Sequence, residues 1–133
     1  MPHIVIEHSA HLDAQLDIRD LVRVTHDAFR ATGAFPPEAI RTRAARRDVY
    51  LIADEDPGNV FVAIVAHIAP GRPDALRHSI GQAIFSKIEA FLKPLQDTIP
   101  LSLTFELHEI DQTAAFRKNT IARKASSSPA QSR

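Results

Sequence analysis

The sequence of 133 residues contains no cysteine and no tryptophan, and only one methionine and one tyrosine. The lack of cysteine excludes disulfides, thiolate catalysis and thiolate-bound metals. Basic and acidic residues number 16 each, so the zero net charge gives no reason to expect general binding to nucleic acid or anionic lipid. No apolar run approaches the ~20 residues of a membrane-spanning helix, and no signal peptide is recognisable. We therefore expect a cytoplasmic protein.

The length and composition are typical of one globular domain. Apolar residues make up 44% of the chain and charged residues 24%, which is ordinary for a folded protein of this size. We assign the domain to residues 1–124. Residues 125–133 contain mainly serine, proline, glutamine, alanine and arginine and are predicted to form a disordered tail.

Hydrophobic spacing in the first half of the chain predicts a strand, a helix and a second strand. Residues 3–7 are expected to form the first strand and residues 8–16 a loop, and Asp17 is a suitable N-cap for a helix. Gly33 is expected to end that helix. The apolar residues 49–52 are predicted to form the next strand.

The second half of the chain has the same order of elements. Residues 60–68 form a nearly continuous apolar run, which suits a strand that is buried on both faces. A helix follows, with Pro73 at its first position and Pro94 near its end. Residues 101–108 alternate between apolar and polar side chains, as in a strand with one solvated face.

Two strand-helix-strand units with right-handed crossovers predict an α/β (α+β) fold. This fold has a four-stranded mixed sheet with two helices on one face. Nothing in the chain is left to cover the other face of the sheet. We therefore expect a homo-oligomer that assembles through that face.

Pro2 lies directly between Met1 and the first predicted strand, and several further segments are distinctive. They are residues 1–7, 31–36, 40–43, 70–72, 103–106 and 116–119. The most specific are the Thr-Gly-x-Phe-Pro turn, the Ile-Arg-x-Arg segment behind it and the Gly-Arg pair before the second helix. Together they resemble the tautomerase superfamily and, within it, the 5-carboxymethyl-2-hydroxymuconate isomerases.

The resemblance implies a tautomerase-like fold, a homotrimer in which neighbouring subunits complete the sheet, and an active site beside each N-terminal proline. It also implies cofactor-free keto-enol isomerisation of a di- or tricarboxylate in the breakdown of homoprotocatechuate, which derives from 4-hydroxyphenylacetate. Pro2 would be the general base and acid after removal of Met1. Residues 44–47 depart from the family pattern, which expects aromatic and histidine character there, so the finer substrate specificity stays open.

Three arginines are predicted to bind substrate carboxylates. Arg72 precedes the second helix, where backbone N–H groups and the helix dipole favour an anion. Arg41 and Arg43 share one strand face if the extended segment begins at Arg41, and the resemblance favours Arg41 as the substrate contact. The alternative is that Arg72 is a solvated charge, and that Arg41 and Arg43 belong to a solvated basic edge of the sheet.

Other functions are also compatible with the sequence. The histidines at positions 3, 8, 11 and 67 lack the spacing of a metal site, so we expect no metal. Another tautomerase-superfamily activity, 4-oxalocrotonate-like or phenylpyruvate-type, is one alternative. A non-catalytic oligomeric module that binds a small acid or a protein is the other, and retention of Met1 would favour it, because the Pro2 nitrogen would then be a tertiary amide.

Overall fold

The computed structural model describes residues 1–121. Its helices and strands are β1 (His3–Ser9), α1 (Ile18–Ala31), β2 (Arg41–Arg47), β3 (Val60–Ile68), α2 (Asp74–Gln96) and β4 (Leu101–Glu109). Short 3₁₀ helices span Ala10–Ala14, Pro37–Ala39 and Gln112–Ala114. Within residues 1–121, no helix combines the length and the apolar character that a membrane crossing requires. The predicted tail, residues 125–133, lies outside the described residues.

The four strands form one mixed sheet in the order β2-β1-β3-β4. Strands β1 and β2 are parallel, as are β3 and β4, and the two pairs meet in the antiparallel contact between β1 and β3. Each parallel pair is joined through a helix, and the two helices contact each other. The predicted four-stranded mixed sheet with two helices is therefore confirmed.

The hydrophobic core lies between the sheet and the helices. Every second residue of β1 and β3 is buried there, including Ile4, Ile6 and Ile64, together with Phe29 of α1 and Ile84 of α2. The intervening residues of β3 are only half-buried or exposed, so β3 is buried on one face in the single chain. We call the sheet face that the helices do not cover the open face.

The first helix begins and ends where the sequence predicts. The side chain of Asp17 accepts a hydrogen bond of 2.9 Å from the backbone N–H of Arg19, which satisfies a free donor of the first turn. Gly33 has φ +67°, a left-handed conformation that favours glycine after a helix. The chain turns there toward the segment that leads into β2.

The second helix ends near Pro94, as predicted, but begins one residue later than expected. Pro73 is its N-cap rather than its first helical residue, and the helix passes through Pro94 to Gln96. Leu92 is buried and Leu95 packs against the core. This packing offsets the backbone hydrogen bond that Pro94 cannot donate.

The predicted strand at residues 49–52 is wrong. The strand is β2, Arg41–Arg47, whose register pairs His3 with Arg41 and Ser9 with Arg47. Val49 and Leu51 lie beyond it and are 96% and 79% exposed. Residues 41–47 form the strand because they pair with β1, although the apolar residues lie further along the chain, at positions 49–52.

The predicted loop at residues 8–16 is also corrected. Strand β1 continues to Ser9, and a 3₁₀ helix follows it.

Candidate active site

A pocket of about 310 Å³ lies beside the N-terminus, where β1 begins. Pro2 is buried, and its carbonyl accepts a hydrogen bond of 3.2 Å from the backbone N–H of Arg41. This bond ties the N-terminus to the start of β2. The residues that line the pocket are Met1, Phe35, Pro36, Glu38, Ala39, Arg41, Ala69, Arg72, Arg117 and Asn119.

Backbone carbonyls and an aromatic ring hold Arg72 in the pocket wall. Its Nη2 donates to the carbonyl of Ala34 at 2.7 Å and its Nη1 to that of Ala69 at 3.3 Å. The guanidinium carbon lies 4.8 Å from the ring centroid of Phe35, a cation–π distance. Gly71 before it has φ +117°, which side-chain-bearing residues rarely adopt. Arg72 is therefore a positioned cation and not a solvated one.

Arg41 and Arg43 of β2 lie on one strand face, as predicted, but only Arg41 lines the pocket. Arg41 is half-buried and donates from Nη1 to the carbonyl of Ala39 at 3.1 Å. Arg43 is exposed and donates to Nδ1 of His3 at 3.0 Å, outside the pocket. The structure thus brings Arg41 and Arg72 into the lining of one pocket together with Met1. Pro2 follows Met1 and is hydrogen-bonded to Arg41, but neither Pro2 nor Arg43 is among the residues that line the pocket.

Arg117 also lines the pocket, and sequence reasoning did not identify it as a site residue. It lies on the irregular segment after β4, which returns to the N-terminus. Nδ2 of Asn119 donates to the carbonyl of Glu38 at 3.3 Å and so fastens this segment beside the pocket. The only sequence signal was that residues 116–119 resemble the family.

The pocket has a positive electrostatic character. Within residues 1–121, Arg41, Arg72 and Arg117 form no ion pair with a carboxylate, and Glu38 is the one acidic residue among those lining the pocket. Burial, followed by the Arg41 and Arg117 guanidinium groups, lowers the pKa of the Met1 amine below its usual 8.0. The site is suited to an anion with several carboxylates.

A larger hollow, about 780 Å³, lies between α2 and β4 but differs in charge. Its arginine, Arg77, already pairs with Asp74 at 2.8 Å and with Glu109 at 3.0 Å. The first residues of α2, from Asp74, line this hollow, whereas no residue of α2 lines the pocket at the N-terminus of the chain. In the described part of the chain, no group of three or more metal-binding side chains is arranged around a common point.

Comparison with known proteins gives a consistent result. The sequence model of the family described as 5-carboxymethyl-2-hydroxymuconate isomerase matches residues 2–125. The Escherichia coli 5-carboxymethyl-2-hydroxymuconate Delta-isomerase is 29% identical over 121 residues, which cover 91% of this chain and 96% of that protein.

Two solved structures also share the fold over most of their length. The 5-carboxymethyl-2-hydroxymuconate isomerase from Deinococcus radiodurans R1 has a TM-score of 0.84 at 26% identity and covers 92% of each chain. Another 5-carboxymethyl-2-hydroxymuconate delta-isomerase has a TM-score of 0.84 at 25% identity, over 93% of this chain and 92% of that one. The chain therefore belongs to the 5-carboxymethyl-2-hydroxymuconate isomerase family.

Proposed function

We propose that this isomerase converts 5-carboxymethyl-2-hydroxymuconate to its conjugated keto isomer, without a cofactor, in the degradation of homoprotocatechuate and 4-hydroxyphenylacetate. The observation that carries the proposal is a pocket at the N-terminus with three arginines that have no acidic partner in residues 1–121. Such a pocket suits a substrate with two or three carboxylates. The names of the relatives supply the particular substrate.

The amine of Pro2 is the proposed proton carrier. Removal of Met1 converts the Pro2 nitrogen from a tertiary amide into a secondary amine at the same end of β1. Burial and the guanidinium of Arg41, which lower the pKa of the Met1 amine, would act on this amine in the same direction. More of it would then be unprotonated near neutral pH and able to accept a proton.

One proton moves in the reaction. The Pro2 amine removes the proton of the 2-hydroxyl group while the C2–O bond becomes a carbonyl and the electrons of the diene shift along the chain. The resulting ammonium returns the proton to C5, leaving a double bond between C3 and C4. No bond to the carbon skeleton breaks, so one base that becomes an acid is sufficient.

The arginines bind the substrate and stabilise its charge. Arg72 and Arg41 are held by backbone carbonyls, so their positions are set before substrate arrives, and each can bind a carboxylate. One of them also faces the oxygen that gains negative charge in the dienolate-like transition state. Arg43 is a further candidate for a substrate-binding residue. Its guanidinium is hydrogen-bonded to His3 and adds positive potential beside the pocket.

We further propose a cytoplasmic homotrimer that assembles through the open face of the sheet. The support is the open face itself, which neither helix covers, and the likeness in fold to the fused 4-OT proteins, whose solved structures are trimers. A second function, binding of a small acid without catalysis, is favoured if Met1 is retained, because the Pro2 nitrogen then remains a tertiary amide and cannot accept a proton, while the arginines that line the pocket can still bind an anion.

The intact mass of the purified protein and its activity on 5-carboxymethyl-2-hydroxymuconate test the proposal together. We expect the mass of the chain without Met1 and measurable turnover. Pro2→Ala should lower turnover by roughly 10²-fold, since general acid–base catalysis contributes this much, and should leave the oligomeric mass unchanged.

Each other result contradicts a different part of the proposal. A Pro2→Ala protein with wild-type turnover would exclude the Pro2 amine as the proton carrier. A protein that lacks Met1 but does not turn over this substrate would exclude the substrate and leave the family intact. Retained Met1 without activity would favour the binding module.

A further inference from the structure

We infer that Arg117 makes the enzyme select a tricarboxylate over a dicarboxylate, by binding the third carboxylate at the mouth of the pocket. This inference rests on the proposed isomerase function of the same pocket. It concerns the carboxymethyl branch, which is the group that distinguishes 5-carboxymethyl-2-hydroxymuconate from 2-hydroxymuconate.

The first support is the difference in how the three arginines are held. Arg41 and Arg72 are half-buried, and backbone carbonyls fix their guanidinium groups. Fixed cations suit the carboxylates at the two ends of a rigid diene. Arg117 is exposed and makes no side-chain hydrogen bond within residues 1–121. A cation with this freedom suits a carboxylate on a flexible branch.

The second support is the shape of the surface around Arg117. Arg117 and Met1 line both the pocket and a neighbouring hollow of about 470 Å³. The two spaces therefore meet at these residues, beside the N-terminus. A substrate with its diene in the pocket can extend its branch into the second hollow, where Arg117 is the cation among the lining residues.

The third support is that the segment carrying Arg117 is anchored on both sides. Before it, the backbone N–H of Ile110 donates to the carbonyl of Ile68, the last residue of β3, at 2.9 Å. After it, Asn119 donates to the carbonyl of Glu38 at 3.3 Å. The backbone is thus held at the mouth of the pocket, while the guanidinium stays free to bind a ligand.

Steady-state kinetics on two substrates test the inference. The wild-type protein, Arg117→Gln and the matched control Lys118→Gln are assayed with 5-carboxymethyl-2-hydroxymuconate and with 2-hydroxymuconate. Lys118 is the exposed neighbour that does not line the pocket. We expect Arg117→Gln to lower kcat/KM for the tricarboxylate by about 10- to 100-fold, the loss typical of one charge-assisted hydrogen bond, and to change the dicarboxylate by less than about threefold. Lys118→Gln should leave both values unchanged.

Two results would overturn the inference while the proposed function stands. Equal losses of kcat/KM on both substrates would make Arg117 a general source of positive potential. No loss of kcat/KM on either substrate would exclude contact between Arg117 and the branch. A wild-type protein that turns over neither substrate would instead overturn the proposed function, and this inference with it.

Discussion

Arg72 carries its full charge into the pocket because its hydrogen-bond partners are neutral. The carbonyls of Ala34 and Ala69 fix the guanidinium without cancelling its charge. Arg47, by contrast, donates to the carboxylate of Glu7 at 2.7 Å and is largely neutralised. An arginine held by carbonyls is therefore preorganised for an anionic ligand, and the cost of ordering its long side chain is met during folding.

The lowered pKa of His3 makes the free energy of unfolding depend on pH. Burial, then the guanidinium groups of Arg43 and Arg41, the N-terminal amine and the ring of His67, lower the pKa of His3 below 6.5. Below pH 6.5 the unfolded chain therefore gains a proton on this residue before the folded chain does. The free energy of unfolding must fall as the pH falls from about 6.5 toward the folded-state pKa.

The variant His3→Gln removes this titration and tests the prediction. We expect the stability of the wild-type protein relative to His3→Gln to be smaller at pH 5 than at pH 7.5, as measured by urea unfolding at one protein concentration. The other histidines are present in both proteins, so their titrations cancel in the comparison. A difference that does not change with pH would show that His3 has an ordinary pKa.

At the scale of the element, α2 depends on a stripe of buried aliphatic side chains. Ile84 is fully buried in the core between α2 and the sheet. We expect Ile84→Ala to lower the free energy of unfolding by about 2–5 kcal/mol, because it removes apolar contacts and leaves a cavity. Lys87→Ala, at an exposed position of the same helix, is the control and should change the stability little in the same urea titration. Equal changes in the two variants would show that the burial of Ile84 does not stabilise the protein.

Some helices and strands can be predicted from the sequence, and others cannot. Periodicity identifies β3 and α1, because their own side chains build the core. It misses β2, whose seven residues include four arginines and which is a strand through its pairing with β1. The same limit applies to the site. Arg41 and Arg72 lie in recognisable motifs, whereas Arg117 reaches the pocket through a contact between Asn119 and Glu38, distant in sequence.

For the molecule as a whole, the open face of the sheet is the surface through which we propose that subunits assemble. Its centre is apolar, with Val5 and Val65 paired across β1 and β3 and Ala63 and Phe61 further along. These side chains are half-buried in one chain. Polar and charged residues surround them, including His3, His67 and His108 toward the pocket end. A face of this kind is typical of a surface between subunits.

The change Val65→Lys tests the proposed trimer. A lysine at this position lies beside Glu106 of β4 within its own chain, so a single subunit tolerates it. In a trimer it would put three desolvated charges into the interface, at a cost of several kcal/mol each. We expect the wild-type protein to sediment as three chains and Val65→Lys as one, with circular dichroism unchanged. Ala83→Lys, on the exposed side of α2, should remain trimeric. A wild-type monomer, or a Val65→Lys protein of wild-type mass, would place the subunit contacts elsewhere than on the open face.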